Sequence, residues 1–262
     1  MITAAKVEEF GASLFTALER GQTRVPLTIS DPEISIDDAY RVSLDILGRR
    51  QAKGERLIGK KIGVTSRVVM DMLGVHQPDF GFLTDAMQAA DGTTVLLAAK
   101  LIQPRAEAEI AFRLKSDLKG PGVDEAAVIA ATESIHPCFE IVDSRIEDWK
   151  IRIEDTVADN ASCGLFVIGE GMARPQDFDF ETCGVVVWKN EKIISTGAGA
   201  AALGSPLNAV AWLANTLGGY GIPLSAGDII LSGSLVPLEP ARSGDRFRVK
   251  IAGLGEAAIN FA

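Results

Sequence analysis

Histidine is nearly absent from this 262-residue chain, which holds only His76 and His136, and cysteine is scarce and scattered, at Cys138, Cys163 and Cys183. Three distant cysteines form neither a disulfide framework nor a Cys-x-x-Cys metal knuckle. With so few histidines beside them, zinc has no ligand set. A reducing compartment, the cytoplasm, is the expected location. Positive charge is also in short supply: 26 Lys and Arg face 35 Asp and Glu, a net charge of −9. The basic residues are dispersed, with only Arg49-Arg50 and Lys60-Lys61 adjacent. No basic footprint for a nucleic-acid partner is present. No apolar run approaches the ~18 residues that a membrane span needs, so no membrane partner is expected. The opening Met1–Glu9 lacks the basic-then-apolar layout of a secretion signal.

What is present is ordinary globular composition, 47% hydrophobic and 23% charged, in a chain long enough for one or two domains with a full core. The first third reads as helical. Val7, Phe10, Leu14, Ala17 and Leu18 recur at helical spacing before Gly21, and Ser35 with Asp38 forms a capping box ahead of Ala39, Val42, Leu44, Ile46 and Leu47. A short helix is predicted from the Thr65-Ser66 cap to Leu73, closed by Gly74. After about residue 80 short β-rich runs take over: 109–114, 138–142, 164–168, 184–188, 228–231 and 246–251. Helices are predicted over about 124–133 and from Ser205-Pro206, the latter with Leu207, Val210, Ala211, Ala214 and Leu217 on its buried face. The expected organisation is a helical N-terminal part, residues 1–80, and a mainly β part, residues 81–262.

One motif misleads. Lys192–Thr196 reads as a strand and runs into Gly197-Ala198-Gly199-Ala200-Ala201-Ala202, which matches the dinucleotide fingerprint. Pro206 arrives too soon for the required helix, and no acid follows about 20 residues on. Close backbone packing is the better reading.

The informative segment is Gln103–Phe112. In a strand, Ala106, Ala108, Ile110 and Phe112 share an apolar face and Glu107 and Glu109 share the other. From spacing alone, the glutamate pair suits a solvated strand face with cationic neighbours at least as well as a site. Glu140 lies inside the apolar run Cys138–Val142, where a lone carboxylate is costly unless paired or metal-bound. Arg105 or Arg145 offers it one partner. Three converging carboxylates would suit a hard cation, Mg²⁺ or Mn²⁺.

Several further segments join these residues: Lys61–Ser66, His76–Gly81, Pro104–Ile110, Phe139–Arg145, Asp155–Ser162 and Gly197–Gly199. Together they resemble, over nearly the whole chain, the hydratase/decarboxylase family of aromatic meta-cleavage pathways, within the fumarylacetoacetase-like superfamily. The resemblance implies an α+β fold, a mixed β-roll or barrel with a smaller helical N-terminal part. It implies Mg²⁺ or Mn²⁺ on Glu107, Glu109 and Glu140, Lys61 and Asp79 at the reacting carbons, and Ser162 lining the substrate pocket. Lys61 would face the substrate carboxylate or the developing dienolate, donating a proton if the cation lowers its pKa, and Asp79 would shuttle a proton or orient Lys61. Without the resemblance Lys61 reads as an exposed member of a Lys-Lys pair, and Asp79 as part of a turn. His76 is expected to be structural.

Three stretches look more like the decarboxylase branch: Leu83–Met87, Leu101–Arg105 and Ser232–Pro240. The expectation is therefore decarboxylation of 2-oxohex-3-enedioate, a small 2-oxo dicarboxylate, to 2-hydroxypenta-2,4-dienoate and CO₂. Hydration of 2-hydroxypentadienoate is the alternative. A non-catalytic scaffold for a related hydratase is a reading from another class. The resemblance also implies a homo-oligomer and association with the pathway hydratase.

Overall fold

The computed structural model describes the backbone of all 262 residues and every side chain except those of Val68, Met72, Leu73 and Lys100. The helical N-terminal part holds α1 (Ala4–Arg20), α2 (Leu27–Ser30) and α3 (Ile36–Ala52). There follow β1 (Leu57–Gly63), α4 (Arg67–Leu73), β2 (Asp79–Thr84), β3 (Gln88–Ala89), β4 (Thr94–Val95), α5 (Leu97–Lys100) and β5 (Pro104–Leu114). Next come α6 (Glu125–Ala131), β6 (Thr132–Asp143), α7 (Ile153–Ala158), β7 (Cys163–Ile168), β8 (Gly184–Lys189) and β9 (Lys192–Ala198). The chain ends through α8 (Pro206–Gly219), β10 (Ile229–Leu231), β11 (Glu239–Pro240), β12 (Arg246–Ile251) and β13 (Gly255–Phe261). One mixed sheet runs β2-β1-β10-β5-β6-β7-β3, with β11 on β5, and a second runs β4-β13-β12-β8-β9. This is the expected α+β architecture.

Local signals act where the sequence places them. The αL residue Gly21, at φ 60°, closes α1, and the reciprocal Ser35–Asp38 capping box opens α3. Ser66 caps α4 and Gly74 ends it. All five of the residues expected on the inner face of α8 are buried. Leu44 is the exception in α3: it is 41% exposed, off the stripe formed by Ala39, Val42, Ile46 and Leu47.

Two expectations need correction. The helix over 124–133 stops at Ala131, because Thr132 onward is captured by pairing with β5. Strand structure also begins well before residue 80: β1 pairs with β2 and β10 inside the large sheet. Two glycines and two lysines in Leu57–Gly63 hide its apolar character. The sheet thus draws strands from both sides of residue 80.

A web of buried aspartates ties the helical part to the sheet. The backbone N–H and hydroxyl of Thr28 in α2 donate to Asp155 in α7, at 3.1 and 2.7 Å, and the Arg152 N–H donates to the same carboxylate at 3.0 Å. Asp159 holds the Arg145 guanidinium at 2.6 Å. Asp143 accepts from the N–H groups of Ile102 and Gln103 at the start of β5. Much of the Asp155–Ser162 motif is therefore scaffold.

Removing the Asp155 carboxylate strands three donors, two of them on Thr28. Asp155→Ala is expected to lower unfolding stability by about 3 kcal/mol in urea titrations. A loss well under 1 kcal/mol would show that this anchor contributes little.

Candidate active site

Strand alternation and register assemble the site. β5 turns Glu107 and Glu109 to one face while Ala106, Ala108, Ile110 and Phe112 enter the main core on the other. β6 runs antiparallel to it with Glu140 directly opposite Glu107. One carboxylate oxygen from each glutamate lies within 4.8 Å of the other two. Glu109 and Glu140 are fully buried and Glu107 is half-buried. The second, smaller core cluster, which includes Ala111, Cys138, Cys163 and Phe166, provides apolar surroundings on the same strands.

Lys61 reaches the trio from β1. Its Nζ lies 3.2 Å from Glu140 Oε1, and its side chain is 3% exposed. Its neighbour Lys60 is buried too, but pairs with Asp228. The Lys-Lys pair is thus not a solvated one. Asp79, at the start of β2, pairs in register with Gly63. A Cβ on Gly63 would fall 2.3 Å from Asp79 Oδ1 and 3.2 Å from Lys61 Nζ, so the missing side chain is what leaves those two groups their common space. Neither arginine considered as a partner for Glu140 serves it: Arg145 is held by Asp159, and Arg105 stacks 4.5 Å above the Trp149 ring.

Four buried or half-buried carboxylates thus surround one ammonium. Burial pulls the Lys61 ammonium down, but Glu140, Asp79 and Glu107 outweigh it and hold the group well above its ordinary value. Without a cation bound, Lys61 is therefore held as the ammonium. Burial pushes the Asp79 carboxyl up, and Lys61 offsets this only in part. Glu107 and Glu109 are raised as well, by burial and then by the Glu140 charge. Asp79 Oδ1, Glu109 Oε1 and both Glu140 oxygens accept no hydrogen bond. Such orphaned oxygens, all from carboxylates and with no sulfur or imidazole ligand among them, fit a hard divalent cation. Glu109 Oε2 is oriented for it by the Gly233 N–H at 2.7 Å.

Ser162 is buried nearby, but its hydroxyl pairs with Thr156 at 3.0 Å, not with Lys61 or any of the four carboxylates. It sits in a turn, Asn160–Ser162, whose three residues all have positive φ. Asn160 clamps this turn to β2 by accepting from the Phe82 N–H and donating to the Phe82 carbonyl, at 2.8 and 3.0 Å. Gly81 permits the approach, since a Cβ there would lie 2.6 Å from the Asn160 carbonyl oxygen. Sequence reasoning missed Asn160, Gly63 and Gly233. The only signal was their place inside motifs already noted. His76 is exposed and outside the cluster. Gly197 and Gly199 are sites of close backbone approach, and only a three-residue turn follows them, as expected of a packing loop.

The FAA hydrolase C-terminal family model matches residues 62–261. A 2-hydroxyhexa-2,4-dienoate hydratase of Comamonas testosteroni is 58% identical over 97% of this chain and 97% of its own length. A 2-hydroxypent-2,4-dienoate hydratase of Pseudomonas putida is 62% identical over 82% of this chain and 97% of its own. Among solved structures, 4-oxalocrotonate decarboxylase from Pseudomonas putida G7, complexed with magnesium and adipate, superimposes with a TM-score of 0.97. It is 37% identical, with 100% of this chain and 99% of that one covered. The relatives with the higher identities thus carry hydratase names, against the decarboxylase expectation. Leu83–Met87 ends in a turn where Asp85 binds Arg56, and Leu101–Arg105 lines a hollow beside Trp149.

Glu109→Gln removes one of the crowded negative charges. In thermal melts without metal, the variant should unfold at a higher temperature than the wild type. Saturating Mg²⁺ should raise the wild-type midpoint by roughly 5–10 °C and leave the variant almost unmoved. An equal Mg²⁺ response in both proteins would refute the metal assignment.

Proposed function

The chain belongs to the fumarylacetoacetate (FAA) hydrolase C-terminal family, and on that premise we propose that it is a divalent-metal-dependent hydratase. It adds water to a 2-hydroxy-2,4-dienoate, giving a 4-hydroxy-2-oxo acid. The observation that carries this reading is the 58% and 62% identity to proteins named as hydratases, against 37% to the decarboxylase. The charge inventory agrees with it. A dicarboxylate about to lose CO₂ presents a second carboxylate to hold, whereas Arg145 is committed to Asp159 and Arg105 lies over the Trp149 ring.

In this reading Glu107, Glu109 and Glu140 hold Mg²⁺ or Mn²⁺. When bound, the cation supplies Lewis acidity to the 2-oxo acid end of the substrate. Lys61 keeps a fixed positive charge beside Glu140 and faces the substrate's developing negative charge. Asp79 carries the proton: hydration requires one to be delivered to carbon and one to be taken from water, and Oδ1 has no competing hydrogen bond. The bare backbone at Gly63 leaves room for that exchange. Buried surroundings limit bulk water to the molecule that reacts. Ser162 contributes to the pocket wall, and contacts substrate only by giving up Thr156.

The decisive comparison offers the Mg²⁺-loaded protein both candidate substrates. Consumption of 2-hydroxypenta-2,4-dienoate to 4-hydroxy-2-oxopentanoate, followed by NMR, is expected, with no CO₂ from 2-oxohex-3-enedioate. Chelation of the metal should abolish turnover. CO₂ release without hydration would restore the decarboxylase reading, and inertness toward both would favour a scaffold. Asp79→Asn should reduce kcat by roughly 100-fold or more while the Mg²⁺-dependent thermal shift persists; unchanged kcat would remove its role in proton transfer.

A further inference from the structure

A hollow of about 650 Å³ is lined in part by residues of the segments that build the site. Thr65, four residues past Lys61, lines it and packs against Gly233, whose N–H orients Glu109. Pro78, immediately before Asp79, lines it as well. From the opposite side, the Leu203 N–H donates to the Thr65 carbonyl at 3.2 Å, joining the segment after β9 to that after β1. The chain just past Lys61 and the chain just before Asp79 therefore both reach the wall of this hollow, and Gly233, the donor to Glu109, packs behind Thr65.

Its walls are mainly apolar. Met70 is 7% exposed, and Leu203 and the Trp212 indole are half-buried. Leu203 is held at a positive φ of 51°, a backbone state uncommon for leucine, so its place in the wall is tightly set. Among the described lining residues Arg67 is the one Lys or Arg; its side chain is 84% exposed and pairs with Asp71. A charged group entering here would lose water and find no buried cation, whereas an alkyl group would gain from burial.

We infer that this hollow receives the distal end of the substrate and that Met70, Leu203 and Trp212 select an uncharged alkyl tail over both a bare vinyl terminus and a carboxylate. The inference rests on the hydratase reading for its catalytic form and deepens it by naming the tail. The names of the two relatives leave that point open, since one carries the hexadienoate and the other the pentadienoate.

The test has a catalytic arm and a binding arm. In the wild type, kcat/KM for 2-hydroxyhexa-2,4-dienoate should exceed that for 2-hydroxypenta-2,4-dienoate by roughly tenfold, the lower range for one added methylene in an apolar pocket. Leu203→Asn, or Met70→Gln as an independent second variant, should bring the ratio close to one. In Mg²⁺-supported calorimetry, affinity should rise from 2-oxopentanoate to 2-oxohexanoate and fall for 2-oxohexanedioate, and both variants should flatten the trend. Equal affinities along the series, tighter binding of the dicarboxylate, or variants that keep the wild-type ratios would each overturn the inference. Failure to hydrate either dienoate would instead defeat the hydratase reading and leave the calorimetric series to decide the tail.

Discussion

An excess of buried negative charge is the constraint on which the rest of this structure depends. Glu107, Glu109 and Glu140 meet on one sheet face with Asp79 alongside, and Lys61 is the ammonium that enters the group. Carboxylates so close and so dry cannot all ionise without a further cation, and their raised pKa values express that conflict. Apolar residues in these positions would fold more comfortably. Four carboxylate oxygens in the cluster that accept no hydrogen bond are a cost to the fold that cation binding offsets.

Holding such a cluster requires rigid support, and the chain supplies it at some distance. Asp143, Asp155 and Asp159 fix the start of β5, the helical N-terminal part and Arg145. The turn Asn160–Ser162 keeps three consecutive non-glycine residues at positive φ, an arrangement that persists only where its surroundings over-determine it. The surroundings are visible: the Asn160 amide takes both hydrogen bonds of the Phe82 backbone, and Gly81 gives it clearance. The strand so clamped is the one that begins at Asp79. Strain in the turn is therefore linked to the position of a reacting group, and the ion pairs of the motif belong to the support.

Much of this was legible in the sequence because it follows from short-range rules. Alternation in β5 placed Glu107 and Glu109 together, and the apolar company of Glu140 marked it as costly to bury. Gly21 marked the end of α1, Ser35 the start of α3, and Ser66 and Gly74 the two ends of α4. What could not be read were features that depend on partners distant in the chain. The sheet joins β1 to β10, some 170 residues away, and nothing local to Leu57–Gly63 announces that. Lys60 and Lys61 look identical in sequence, yet alternation sends one to Asp228 and the other to Glu140. Ser162 was placed by resemblance alone, and its pairing with Thr156 depends on a turn geometry that no propensity predicts. Leu44 shows the converse limit, because a plausible helical stripe tolerates one exposed leucine.

The contrast between the two kinds of likeness has a physical origin. A TM-score of 0.97 at 37% identity means that the backbone of a decarboxylase and of this chain coincide almost throughout. Hydration and decarboxylation of these 2-oxo acids need the same treatment of the carboxylate and oxo end, so a shared backbone is compatible with either. The reactions diverge at the far end of the carbon chain, where one substrate ends in a charge and the other in carbon and hydrogen. Fold comparison is blind to that difference, which the proposal above places in a few side chains around one hollow. Whole-chain identity is sensitive to it only through descent. On the tail selection proposed above, the walls contributed by Met70, Leu203 and Trp212 are where the two reactions part, and the absence of a buried Lys or Arg among the described lining residues weighs on the same side as the higher sequence identities.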